Sequence, residues 1–429
     1  MVSRALEGDE DTMPQPTAEL RSRLAGAGMV AAAITAMNVA TYGFTLAAAR
    51  LLAPAHFGEL TAMMGIILVG NVAALGLQAT TARRIATQRT GDERAAVIDA
   101  ARRATWIAAT VVAAVTLALS PLLQEALALT SWSSMLLVAL TLIPLTVFGT
   151  QAGVAQGSRQ WGRLSILYGA MGAGRLLCGT TAAAIDPTPA VVMGGVLVGA
   201  TVPVAVGWPL LRTSPPAPVS RPDAVDALIR PADSRSVLVE ALHGTHALLA
   251  YFALTNADAL LARVVLSPHD SGVYAAGLIV TKACLFLPQF VTVVAFPDLA
   301  QARDTRTRRI AALLIAALGA SVVAGTWLLP DLALAFVGGE EYADVRDLLP
   351  LFALEGSVFA LLHLLLYDAL ARRSRILTVG LWTALAVATT VVLTSVDTVE
   401  MLPVVMTTAA AGVALLAVVP IRPRLSSRQ

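Results

Sequence analysis

The sequence predicts an all-α, polytopic membrane protein of twelve transmembrane helices in two six-helix lobes, with both termini cytoplasmic. Three observations carry this. Of 429 residues, 57% are apolar and only 14% charged, where a soluble domain carries about 25% charge. Apolar windows of roughly 20 residues, each enough to cross a ~30 Å hydrocarbon core, recur along the chain. The basic residues alternate between successive connections in the sense that the positive-inside rule requires.

Residues 1–23, with "EGDEDTMPQPTAEL", are polar and acidic. They lack the charge-then-apolar order of a cleavable signal peptide and read as a disordered cytoplasmic tail. The first lobe, residues 24–211, holds the windows Leu24–Ala49, Leu60–Thr80, Ala104–Leu123, Met135–Ala155, Leu164–Ile185 and Ala190–Leu211. The stretch 212–236, "RTSPPAPVSRPDAVDALIRPADSRS", is rich in proline and charge and reads as an exposed cytoplasmic linker. The second lobe, residues 237–429, holds Val237–Ala262, Val273–Phe296, Ile310–Leu329, Leu348–Leu370, Ile376–Thr394 and Met401–Val419, then a short cytoplasmic tail. Pro144 and Pro288 are expected to kink the fourth and eighth spans. Cys178 and Cys284 both fall inside apolar windows, so no disulfide framework is implied.

The charges test this count independently. The tails, the linker and the connections leading from even to odd spans hold 25 of the 30 basic residues. Clusters such as Arg83, Arg84, Arg89, Arg94, Arg102 and Arg103, or Arg303, Arg306, Arg308 and Arg309, supply most of them. The opposite connections hold only Arg50, Arg263 and Arg346. A missed or invented span would scramble that alternation.

A repeat crosses the linker. "AARLLAPAHFGELTA" (Ala48–Ala62) and "LARVVLSPHDSGVYA" (Leu261–Ala275) both place Arg, two apolar residues, Pro, His and Gly in order, between the first and second span of their half. Six spans per half preserve orientation, so the repeat is parallel, and substrate sites in such proteins lie near the midplane between the halves.

The stretch "NVATYGFTLAAARLLAPAHFGELTAMMGIILVGNVAALGLQ" resembles the opening of bacterial polysaccharide and oligosaccharide-lipid flippases, of the multidrug/oligosaccharidyl-lipid/polysaccharide exporter superfamily. "NADALLAR", "SGVYAAGLIVTKA" and "FVGGEEYADVRDLLPLFAL" are similar to that family's span-seven Asn-x-Asp, its Gly-x-Tyr-Ala entry to span eight and its Gly-Glu-x-Tyr segment before span ten. The resemblance covers about Leu24 to Thr394. It implies two lobes around a central cavity that move a polyprenyl-diphosphate-linked oligosaccharide across the bacterial cytoplasmic membrane by alternating access. It also implies a monomer that meets membrane lipids and polysaccharide-assembly proteins.

Two cations stand at mid-depth. Lys282, the only lysine in the chain, lies about ten residues, or roughly 15 Å, from the outer end of span eight. Arg175 lies about eleven residues from the inner end of span five. Each would suit an oxygen of a diphosphate, Arg bidentately and Lys as a mobile point charge. The plainer role for Lys282 is a structural salt bridge with Asp258 of span seven or Glu355 of span ten; these acids are its counter-charges or coupling groups. Gly172 and Gly174 beside Arg175 equally suit tight helix packing. Asn38, near mid-depth in span one, suits sugar hydroxyls or an interhelical hydrogen bond. Glu240, His243 and His246 share a helix face without a third strong metal ligand, so no metal site is expected. His363, Tyr367 and Asp368 snorkel, and Arg50 and Arg263 anchor helix ends at the interface.

A drug or cation antiporter of the same superfamily is the chief alternative, kept open by Asp258 and Glu355 because buried acids mark ion pathways. A glycosyltransferase or polymerase would need a sizeable outer loop bearing carboxylates, which is missing, so no enzyme is expected. A scaffold of envelope assembly is the third reading, and paired mid-membrane cations argue against it. No cofactor and no nucleic-acid partner is implied.

Overall fold

Proline, asparagine and glycine set where the apolar helices begin, break and touch. The structure, a computed structural model, describes residues 18–88, 90–212, 233–301, 305–371 and 375–418. Residues 1–17 of the expected tail and 213–232 of the expected linker fall outside them, while 18–23, expected as part of the disordered tail, are already helical in α1. The first half contains α1 (Ala18–Leu51), α2 (Pro54–Gly70), α3 (Val72–Thr87), α4 (Gly91–Ala118), α5 (Ser120–Ala126), α6 (Trp132–Gly157), α7 (Trp161–Ile185) and α8 (Pro189–Arg212). The second contains α9 (Ser234–Val265), α10 (Pro268–Gln301), α11 (Thr305–Leu328), α12 (Pro330–Val337), a 3-10 segment (Glu340–Leu348), α13 (Leu349–Ala371), α14 (Arg375–Ser395) and α15 (Met401–Val418).

Each apolar window falls on one helix or one bent pair, to within a residue. By length and composition, eight spans among the described residues can cross a bilayer, or nine if α4 and α5, bent by 50°, are one. The expected twelve exceeds that number. The breaks come at Asn71, between α2 and α3, and at Leu119, where Pro121 at the start of α5 withholds an N–H. α6 runs unbroken through Pro144, and the side chain of Pro288 lies outside the described set. α5 and α12 are short helices that both follow the third span of their half.

The helices are apolar on nearly all sides, as expected where the solvent is lipid. Trp106, Ile107, Val111 and Val115 of α4 point outward, exposed. Inside, small residues let backbones meet. A Cβ on Gly149, Gly153 or Gly157 of α6 would run into the carbonyls of Ala74, Gln78 and Ala82 on α3. Gly153→Leu is accordingly expected to cost about 1–3 kcal/mol by overpacking, read as a lower thermal midpoint in detergent. α4 starts on a capping box between Thr90 and Glu93. α9 starts on Asp233, whose carboxylate accepts from the Ser236 N–H at 2.9 Å. The Ser236 side chain, and then this N–H, hold the Asp233 carboxyl below the usual range.

The halves touch at both ends of the bundle. At the end where α8 finishes and α9 begins, the linker end, α3 lies along α9, and Gly76 is close enough to Thr245 and the Ala241 carbonyl that a Cβ would collide. At the opposite, far end, α2 crosses α10, and Gly272 sits against the Pro54 backbone. Tyr342 of the 3-10 segment donates to the Ala49 carbonyl of α1 at 2.9 Å. Arg50 of α1 donates to the Ala335 carbonyl of α12 at 3.1 Å. Tyr342→Phe is expected to cost about 1 kcal/mol, the net worth of one buried hydrogen bond, measurable by thermal unfolding.

Candidate functional site

Three helices of the second half bring their charges together. Gly356 sits where a Cβ would strike the Thr281 carbonyl, so α13 can lie close against α10. That approach sets the neighbouring Glu355 against Thr281, whose hydroxyl donates to the Phe352 carbonyl at 3.0 Å and reaches Glu355 Oε2 at 3.3 Å. Lys282, one position on, is half-buried and turns to α9. Its Nζ donates to the Thr255 carbonyl at 2.5 Å and to Asn256 Oδ1 at 3.1 Å. Asn256 is oriented for this by its own amide, which donates to the Phe252 carbonyl at 2.8 Å.

Asp258 lies half a turn further along α9, with no solvent exposure, and its Oδ1 accepts from the Ala259 N–H at 2.7 Å. Glu355 is equally buried. The two carboxylates act electrostatically on each other, and Lys282 acts on both. Lys282 forms no direct ion pair with either among the described residues; two of its three donors go to the Thr255 carbonyl and Asn256 Oδ1. Three oxygens here lack any partner among the described residues: Asp258 Oδ2, Glu355 Oε1 and the hydroxyl of wholly buried Tyr274. Tyr274 also feels both carboxylates. The cluster therefore holds two acids against one ammonium, with buried hydrogen-bonding capacity to spare.

The first half is built differently. On α7, Ile166, Ala173 and Leu177 are exposed on one side, and Arg175 lies about 160–200° around the helix from them at ~100° per residue. Its stripe is Tyr168, Gly172, Arg175 and Gly179, and Gly172 and Gly179 press on Met37 and Phe44 of α1. Arg175 is half-buried yet has no hydrogen-bond or ion-pair partner among the described residues. Two turns away the Gln78 amide donates to Tyr168 Oη at 2.9 Å and to Gln156 Oε1 at 3.1 Å. Arg175 and Lys282 belong to helices that do not form a packed pair. α1 lies against both, and its Tyr42 donates to the Ile279 carbonyl of α10 at 3.2 Å. Asn38 is half-buried on α1.

Other expected residues fall outside this cluster. Glu240 is taken by Arg83 and Arg84 of α3. His246 is exposed, and the side chains of His243, Tyr367 and Asp368 lie outside the described set. His363 stacks on Tyr251 with ring centroids 4.9 Å apart. No group of three metal-binding side chains occurs among the described residues. Arg50 is exposed, as an interfacial anchor would be, but Arg263 is buried at 6% exposure. Arg263 donates to the carbonyls of Leu127 and Ala128, each at 2.9 Å, and to Ser271 Oγ at 3.1 Å. Glu59, with no exposure, holds the same turn from its other side by accepting from the Thr130 N–H and hydroxyl at 3.2 and 3.1 Å. Sequence reasoning missed Glu59 because it stands one residue before the apolar window Leu60–Thr80. A surface groove between α10, α11 and α12, lined by Val280, Val322 and Phe336, is almost wholly apolar and suits a lipid chain rather than ion chemistry.

No protein-family model matches the sequence, and no curated protein matches it significantly. Solved structures do. The chain is similar to a multidrug resistance MATE family transporter of the MOP superfamily in its inward-facing conformation: 12% identity, TM-score 0.66, 89% of this chain and 92% of that one. It is similar to a eukaryotic MATE transporter at 13% identity and TM-score 0.67, over 92% of this chain and 95% of that one. A third is a MOP superfamily transporter from Pyrococcus furiosus, for which a reversed polarity of the binding pocket suggests a different function. It shows 14% identity and TM-score 0.57, over 91% of this chain and 96% of that one. At such identities the likeness is one of fold. The chain is a multi-pass membrane protein with the fold of the MATE transporters.

Proposed function

We propose that this protein is a secondary transporter that exchanges its cargo for a cation, with Asp258, Lys282 and Glu355 as the coupling centre. The observation that carries the reading is the unequal charge of that cluster. One ammonium neutralises one of two buried carboxylates, and an isolated buried charge is too costly to leave uncompensated. The remaining carboxylate must take up a proton or another monovalent cation while the site is closed and release it when water enters. Lys282 already supplies a fixed cation, and Asp258 Oδ2 and Glu355 Oε1 are open to the mobile one.

The test is a proteoliposome assay that records pH or sodium movement with and without a counter-gradient. Tetraphenylphosphonium serves as the cargo probe, with wild type beside Asp258→Asn and Glu355→Gln. Cation movement coupled to efflux in wild type and lost in both variants supports the reading. Equal coupling in all three removes it.

A second reading follows from Arg175. The first half offers a half-buried guanidinium facing the bundle interior, and its one wholly buried acid among the described residues, Glu59, gives one oxygen to Thr130. This arrangement suits a cargo with an anionic head better than a cationic drug. It supports a polyprenyl-diphosphate-linked oligosaccharide, moved by twelve spans with both termini on the cytoplasmic side of a bacterial inner membrane. In a host lacking the gene, wild type is expected to clear lipid-linked oligosaccharide from the cytoplasmic leaflet. Arg175→Gln is expected to slow that clearance by about tenfold, the loss of a charge-assisted hydrogen bond. Clearance without the gene, or full activity in the variant, would count against the flippase.

A further inference from the structure

The two ends at which the halves meet are fastened by different chemistry. At the far end the fastenings run to main-chain carbonyls. Arg263 holds Leu127 and Ala128, Arg50 holds Ala335, and Tyr342 holds Ala49. Arg263 and Glu59 are both buried there, so parting this end would strand two charges in low dielectric. The Gly272–Pro54 contact adds a close backbone crossing that no rotamer change can loosen.

At the linker end, beside an apolar seam of Leu77, Val237 and Ala241, the polar fastening among the described residues centres on Glu240. Glu240 of α9 accepts from Arg84 Nε at 3.0 Å and Nη2 at 2.7 Å, both on Oε2, while Arg83 pairs with Oε1. Arg84 Nη1 donates in addition to Ser236 Oγ at 3.0 Å. Water reaches this fastening through Arg83, whose side chain is 65% exposed and is rehydrated at little cost once released, while Arg84 and Glu240 lie beneath it at 9% and 11%.

We infer that the Arg83–Glu240–Arg84 triad is the releasable gate of the transporter's linker end, and that the far-end clasp stays shut during the step in which the linker end opens. The inference rests on the alternating-access reading, but its test needs no cargo. The first step of the cycle is then the transfer of one carboxylate from two guanidinium groups to water, with the α3–α9 seam parting behind it.

The test is thiol accessibility in the full chain, with Cys178 and Cys284 replaced by serine and alanine. Thr245→Cys reports on the α3–α9 seam, where it faces Gly76, and Val273→Cys reports on the buried far end of α10. A membrane-impermeant methanethiosulfonate should label Thr245→Cys slowly, and about tenfold faster once Glu240→Gln removes the charge-assisted bonds. Val273→Cys should stay slow in both. Arg84→Glu combined with Glu240→Arg should restore slow labelling at Thr245→Cys, which separates loss of the gate from a folding defect. The inference is overturned if Glu240→Gln leaves the Thr245→Cys rate unchanged, or if Val273→Cys accelerates instead. Because labelling precedes any transport, a correct gate with the wrong cargo or the wrong coupling ion still gives the expected rates.

Discussion

Lys282→Met should lower the stability of the folded protein by about 3–5 kcal/mol, the cost of stranding buried charge by removing one partner. It removes the only fixed cation acting on Asp258 and Glu355, both fully buried. It also leaves the Thr255 carbonyl and Asn256 Oδ1 without their ammonium donor. Methionine is close in volume, so the loss reports charge and hydrogen bonding rather than a cavity. Adding Asp258→Asn to the same chain should recover much of it, because one buried carboxylate can then be carried by one proton. Thermal unfolding of the two variants in one detergent decides the matter. A Lys282→Met protein as stable as its parent would mean that the carboxylates are already neutral without the lysine, and the coupling centre would lose its basis.

The second large effect concerns Arg263. Arg263→Ala breaks two carbonyl contacts and a Ser271 contact, and it strands Glu59, whose Oε2 has no hydrogen-bond partner among the described residues. A loss of about 3–5 kcal/mol is expected. Glu59→Gln in the same chain should return part of it. Arg263→Lys should return little, because a lysine presents a point charge where the guanidinium forks between Leu127 and Ala128. Arg50→Ala, at an exposed position with one carbonyl partner, should cost no more than about 1 kcal/mol. If the two arginine variants are equally mild in a thermal scan, the far end is not the strong contact described above.

What the sequence made legible follows from the distance over which each signal acts. A window of apolar residues decides its own helix against lipid, so all twelve windows fall on helices. Asp258, Lys282 and Glu355 were legible for the same reason: a charge in an apolar run is anomalous without knowledge of its neighbours. Their shared cluster was half visible, since counter-charges had to exist but Gly356, which lets α13 approach Thr281, announces nothing by itself. Tyr274 stood inside a recognised motif without any sign that its hydroxyl would be left bare.

The fastenings between halves were not legible. Arg263 meets a turn 135 residues earlier in the chain, and nothing near residue 263 marks it as other than an interfacial anchor. Arg83 and Arg84 mark, in the sequence, only the sign of their loop. A charge tally fixes which side a connection lies on, not which of its members pairs across a seam. Glu240 shares a helix face with His243 and His246, whereas its partners come from α3.

The repeat gives the linker-end triad a consequence for the other seam. Arg50 and Arg263 stand 213 residues apart, as do His56 and His269. Carried across by that offset, Glu240 corresponds to Ala27, and Arg83 and Arg84 to Phe296 and Pro297. The three repeat-matched positions thus hold no acid and no base. A latch that water and ions can undo is therefore written into one set of repeat positions and not into the matching set.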